Sequence, residues 1–149
     1  MTHTTTLTEQ PTAVRRATLA PDQLIDWASQ ACAEVATYLH HRGIPPAGYP
    51  FVRCHSPAED RIEVEAGVPV AAPISGTVPV IPSRLPGGPA LVARYTGPDD
   101  KICLAQDAID GWLRTVGAER AGDSWEVFHD LPTCDHLGRR IEVVQPIRF

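Results

Sequence analysis

Lysine is almost absent: Lys101 stands alone against twelve arginines. Acidic residues outnumber basic ones, 18 to 13, for a net charge of −5. Scattered arginines in an acidic chain lack the concentrated positive field that a phosphate backbone requires, so nucleic acid is excluded as the main partner. No apolar run approaches the ~20 residues of a membrane-spanning helix, so no membrane partner is expected. The N-terminus lacks a basic-then-apolar leader. The expected compartment is therefore the cytoplasm, where Cys32, Cys54, Cys103 and Cys134 stay reduced. These cysteines form no CxxC pair. Cys134 and His136 have no second ligand pair at zinc spacing, so no metal is expected. Small buried hydrophobes or loop residues describe the cysteines better. Nucleophile motifs are missing too: there is no GxSxG, no phosphate-cradling glycine loop and no HExxH, and no cofactor is expected. Cys54 and His55 are adjacent on a predicted strand and point to opposite faces, which disfavours a Cys-His dyad.

What is present suits one domain. The 149 residues are 43% hydrophobic and 21% charged, an ordinary globular composition. The 15 prolines are dispersed and punctuate short elements. Residues 1–12, with the threonine-rich start Met1–Gln10, read as a disordered tail, and 13–149 as the folded domain. Pro21–Arg42 reads as a helix with Leu24, Trp27, Ala28, Ala31, Val35, Tyr38 and Leu39 on one face. Gly43 ends it and Pro45-Pro46 prevents continuation. Strands are predicted at Tyr49–His55 and Arg61–Val70, with Ala13–Leu19 as a short strand before the helix. The second half repeats the order. Gly76–Ile81 and Ala90–Tyr95 read as strands around the turn Pro86-Gly87-Gly88-Pro89, followed by a helix over Asp100–Val116 and strands at Ser124–His129 and Arg139–Ile147.

The halves also match in sequence. Tyr38-Leu39-x-x-x-Gly43 recurs as Trp112-Leu113-x-x-x-Gly117, offset by 74, and the same offset sets Phe51-Val52 over Trp125-Glu126. Arg61-Ile62-Glu63-Val64 recurs as Arg140-Ile141-Glu142-Val143, offset by 79. An internal duplication follows, with units of about 13–72 and 76–149. Two repeats are too few for a solenoid and suit one pseudo-twofold domain with a groove at its axis.

From Gly43 onward the chain resembles the gyrase-inhibitor-like domain, also called the AraC-type effector-binding or small-molecule-binding domain. The resemblance is carried by Gly43-Ile44-Pro45, Tyr49–His55, Glu63–Val70, Leu85–Ala90, Tyr95–Pro98, Trp112-Leu113, Trp125–Phe128 and Gln145-Pro146-Ile147. It implies an α+β fold: two β-α-β-β units forming a concave antiparallel sheet with two helices and a central ligand groove. Cys54 and Phe128 stand where the family usually has tyrosine, which lowers the polarity of the groove.

The family's binding glutamate matches Glu126. In a strand Glu126 and Phe128 share one face, while Trp125 and Val127 share the other. A carboxylate beside aromatic rings is a receptor for a hydrophobic, cationic or amphipathic organic ligand. Trp112, Tyr95, Phe51 and Cys54 are its expected walls. Glu63 and Glu142 read as exposed strand residues, and His55 and His129 as strand-end polarity. Glu65 precedes Ala66-Gly67 and suggests a β-bulge with a structural role. The expected function is a stand-alone binding protein that holds or sequesters a drug-like ligand, or acts through a protein partner or as a homodimer. The alternative is a hydrolase that opens the reactive cyclopropane of a DNA-alkylating natural product. In that reading Glu126 is the general base, and Trp112 and Tyr95 position the substrate.

Overall fold

Apolar residues at helical spacing form two helices, and one device ends both. A computed structural model of the chain describes residues 2–58, 61–76, 78–96, 103–129 and 140–149. A short 3-10 turn at Pro21–Gln23 leads into α1, Leu24–His41. Ala28, Ala31, Val35 and Leu39 are its buried stripe. Helix α2 runs over Cys103–Val116 and buries Ile109 and Leu113; the expected start at Asp100 lies outside the described residues. Past α1, Gly43 adopts φ 67°, which returns Ile44 N–H to Leu39 O at 3.0 Å. Past α2, Gly117 adopts φ 71°, which returns Ala118 N–H to Leu113 O at 3.1 Å. Both are glycine caps of the left-handed type, closed by a six-residue hydrogen bond. They fall 74 residues apart, at the two ends of the sequence repeat.

The chain forms two compact units, Glu9–Leu85 and Met1–Thr8 with Pro86–Phe149. The first unit contains β2 (Gln10–Leu19), α1, β3 (Phe51–Ala58), β4 (Arg61–Pro69) and β5 (Ile81–Leu85), all antiparallel in the order β3-β4-β2-β5. The second contains β1 (Thr2–Leu7), β6 (Gly88–Thr96), α2, a two-residue strand β7 (Glu119–Arg120), β8 (Trp125–Phe128) and β9 (Arg140–Arg148). Its antiparallel order is β8-β9-β6-β1, with β7 on β9. Each unit thus carries a β-α-β-β series plus an outer strand, β5 or β1, with the two-residue β7 extra in the second, and the fold is α+β.

Two expectations fail here for one reason. Thr2–Leu7 is not a disordered tail: it is β1, paired residue for residue with β6 from Thr2↔Ala93 to Leu7↔Gly88. Gly76–Ile81 is not the opening strand of the second unit; the strand is Ile81–Leu85, and it pairs with β2. Strand β1 therefore does for β6 what β5 does for β2. The turn Pro86-Gly87-Gly88-Pro89 does not close a hairpin, because β5 and β6 take partners in different units. Pro82 lies inside β5, where its missing N–H suits a strand paired on one side. Threonine is β-branched and fits a pleated surface, so Thr2, Thr4, Thr5 and Thr6 favour an extended chain once β6 supplies partners.

Helix α1 packs on one face of its sheet: Val35 and Leu39 meet Ala13 and Val68 in a buried cluster. Helix α2 does the same, with Ile109 and Leu113 on Leu91, Ala93, Val143 and Ile147. Full burial of each such valine, leucine or isoleucine contributes ~1.5–3 kcal/mol. Cys32 sits beside α1's apolar stripe, and burial pushes its thiol up to about 11 from 9.0. At pH 8 that cuts its thiolate about a hundredfold, while the more basic sulfur regains part of the rate, so alkylation should run roughly tenfold slower than at an ordinary thiol. Rapid loss of the Cys32 thiol to iodoacetamide in the native protein would contradict this.

The break predicted at Glu65-Ala66-Gly67 is absent. Pairing of β2 with β4 runs without a slip from Thr12↔Pro69 to Leu19↔Ile62. The irregularity lies on β3, between His55 and Ala58. Gly67 serves a different need, close approach: a Cβ there would lie 1.9 Å from the carbonyl oxygen of Ala13.

Candidate functional site

Strand register assigns every side chain a face. In the second unit, Ala93 and Val143 pair and belong to the cluster under α2. Glu126 pairs with Val143 and Phe128 with Ile141, which in turn pairs with Tyr95. Glu126, Phe128 and Tyr95 therefore stand on the helix-bearing face, and Trp112 on α2 packs against the same cluster with Tyr95. All four are half-buried. Glu126 is the one carboxylate that β1, β6, β8 and β9 carry on this face.

The two sequence-predicted residues of the first unit separate. Cys54 pairs with Val64, in line with Ala66 and Val68 on the α1 side, and is half-buried. Phe51 pairs with Gly67 on the opposite face and is 1% exposed. They are three residues apart on one strand, so they cannot share a wall, and Phe51 is core. On the α1 side the first unit also has an apolar hollow of about 690 Å³. Leu39, Ile44, Pro45, Pro46 and Val68 line it, and His40 is its polar group.

The faces turned away from the helices carry a feature that sequence reasoning missed. Glu65 is 1% exposed and takes hydrogen bonds from Arg16 Nε at 3.0 Å and Ser83 Oγ at 3.2 Å; His55 Nε2 lies 3.6 Å from the same carboxylate. One buried carboxylate thus ties together β2, β3, β4 and β5. In the second unit His129 Nε2 lies 2.8 Å from Glu142 Oε1, and Arg94 Nε lies 3.6 Å from it. In both units the arginine is directly opposite the glutamate, as Arg16↔Glu65 and Arg94↔Glu142, and the histidines are 74 residues apart. These are the same trio twice. Cys54 faces Val64 while Phe128 faces Ile141, so the strands correspond with an offset of 77 rather than 79. Glu142 is thus the counterpart of Glu65 and not of Glu63. The Arg-Ile-Glu-Val match pointed two residues away, because its letters agree better than the register does. Glu63 is exposed, as expected, whereas Glu142 is half-buried in its trio. The predicted turn Asp130–Gly138, with Cys134 and His136, lies outside the described residues.

Two duplicated β-α-β-β units in an α+β fold agree with one family. Residues 2–137 match the profile of the GyrI-like small molecule binding domain. The chain belongs to that family. This GyrI-like domain is similar in fold to the C-terminal domain of EcmrR: TM-score 0.80, 14% identity, covering 99% of this chain and 97% of that one. Against EcmrR in its complex with DNA the TM-score is 0.83 at 15% identity, and this chain spans 57% of that one. SAV2435, solved bound to tetraphenylphosphonium, gives TM-score 0.71 at 11% identity over 99% of this chain and 94% of that one. A hydrolase from Listeria innocua gives TM-score 0.71 at 12% identity, over 99% and 91%. No curated protein matches the GyrI-like sequence. At such identities the likeness is one of fold. Among the described residues no helix is long and apolar enough to cross a membrane.

Proposed function

We propose that this GyrI-like domain binds a hydrophobic organic cation on the helix-bearing face of its second unit, with Glu126 as the charge partner. The observation that carries this is that the one carboxylate these strands carry on the helix-bearing face, Glu126, shares that face with half-buried Phe128 and Tyr95, on which side Trp112 also packs. Rings supply apolar area and negative π-faces, both favourable to a delocalised cation. The gross attraction of a cation about 4 Å from a carboxylate is ~4 kcal/mol at an effective dielectric of about 20. Desolvation offsets part of it. A net ~1.5–3 kcal/mol, or roughly ten- to a hundredfold in affinity, is what Glu126 contributes. SAV2435 was solved with such a cation, tetraphenylphosphonium, which supports the choice of ligand class. Calorimetric titration with tetraphenylphosphonium should show binding by the wild type, weakened by that factor in Glu126→Gln. Equal affinities would remove Glu126 from the site.

A second reading has one observation in its favour, the likeness to a Listeria innocua hydrolase. A carboxylate held beside apolar walls can orient or deprotonate water for attack on a strained ring. Ring opening of a cyclopropane-bearing alkylator, abolished in Glu126→Gln, would establish hydrolysis. Binding without turnover would leave the protein a binder.

A further inference from the structure

Strand β8 is short, four residues from Trp125 to Phe128, and it carries both Glu126 and Phe128. His129 follows at once, and two ties hold it. Its N–H donates to Arg140 O at 3.0 Å, and its Nε2 reaches Glu142 Oε1 at 2.8 Å. Both partners are on β9, so the end of β8 is fixed to its neighbour by backbone and by side chain. The side-chain tie is on the face away from α2, because His129 shares parity with Val127, which pairs with Glu142. Alternation converts this into aim: pinning His129 to one face sets the roll of the strand, and so the direction of Glu126 and Phe128 on the other.

We propose that His129 is a positioning residue: through its contact with Glu142 it holds β8 so that Glu126 meets the charge of a bound cation. This rests on the reading of Glu126 given above. The duplication supplies the matched control. In the first unit His55 Nε2 stands farther from the matching carboxylate, 3.6 Å from Glu65, and the position equivalent to Glu126 is Val52, which has no charge to aim.

The test uses the full chain and two probes of one shape and opposite charge, tetraphenylphosphonium and tetraphenylborate. His129→Gln should weaken tetraphenylphosphonium binding about fivefold and leave tetraphenylborate unchanged, so that the cation preference falls by that factor. His55→Gln should leave the preference intact. The sign is diagnostic. If the imidazole acted only through its own positive charge, its removal would strengthen cation binding. If it only held the fold together, both ions would weaken alike. Either result overturns the proposal, as does an equal loss of preference in His55→Gln. Should His129→Gln not fold, Glu142→Gln removes the same tie from the other side and carries the same expectation. A preference unchanged in Glu126→Gln would instead overturn the reading of the site itself. Loss of preference in Glu126→Gln but not in His129→Gln would overturn the positioning role alone.

Discussion

Gly67→Ala is expected to destabilise the fold by about 4 kcal/mol, a large share of the margin of a domain this size. The added Cβ would meet Ala13 O at 1.9 Å and Val14 Cα at 2.8 Å. Both are backbone atoms of β2, which is held by eight consecutive paired positions on β4. Gly67 also pairs with Phe51 on its other side, so β4 has no free direction in which to retreat. Relief would require opening the β2–β4 ladder beside the buried Ala13 and Val14. Gly111 is the contrast. A Cβ there meets nothing within 4 Å, and its position in α2 makes Gly111→Ala stabilising by about 0.5–1 kcal/mol. Urea midpoints of the two variants should move in opposite directions. A Gly67→Ala midpoint close to wild type would mean that the strands are not packed this closely.

Glu65→Ala should cost about 3 kcal/mol and Glu142→Ala about 1 kcal/mol, although the two residues hold the same place in their units. Burial separates them: Glu65 is 1% exposed and Glu142 21%. Loss of Glu65 leaves Ser83 Oγ without its carboxylate acceptor and opens a cavity at the meeting of four strands. Water can replace Glu142 for Arg94, which is largely exposed. The pairs Arg84–Glu9 and Arg148–Glu119 are exposed on both sides and should contribute little. Equal costs for the two glutamates in chemical denaturation would show that burial is not what separates the trios.

Both helices are legible in the sequence, because their stripes recur at helical spacing and Gly43 and Gly117 mark their ends. The duplication is legible for the same reason. Strand partners are less so. The run Thr2–Leu7 looks like a polar tail in isolation, and its pairing with Gly88–Ala93 is a contact across more than eighty residues that no local pattern announces. Likewise Glu65-Ala66-Gly67 suggests a bulge, since a glycine that interrupts a strand fits either a bulge or close backbone approach, and only the position of Ala13 decides. The offset of 79 is a match of letters over four residues; the register, which the core enforces, gives 77. Glu126, Phe128, Tyr95 and Trp112 fall together on one face, as strand alternation at Glu126 and Phe128 predicts. Phe51 and Cys54 do not, and their spacing of three already places them on opposite sides of a strand.

Charge is the central property of the proposed site, and one ratio measures it. Tetraphenylphosphonium and tetraphenylborate differ in sign and hardly in shape, so apolar and aromatic contacts cancel between them. The dissociation constants of the wild type should differ by roughly a hundredfold or more in favour of the cation, and in Glu126→Gln the difference should shrink by at least about tenfold. Equal binding of the two ions by the wild type, or a preference for the borate, would contradict a cation site built on Glu126.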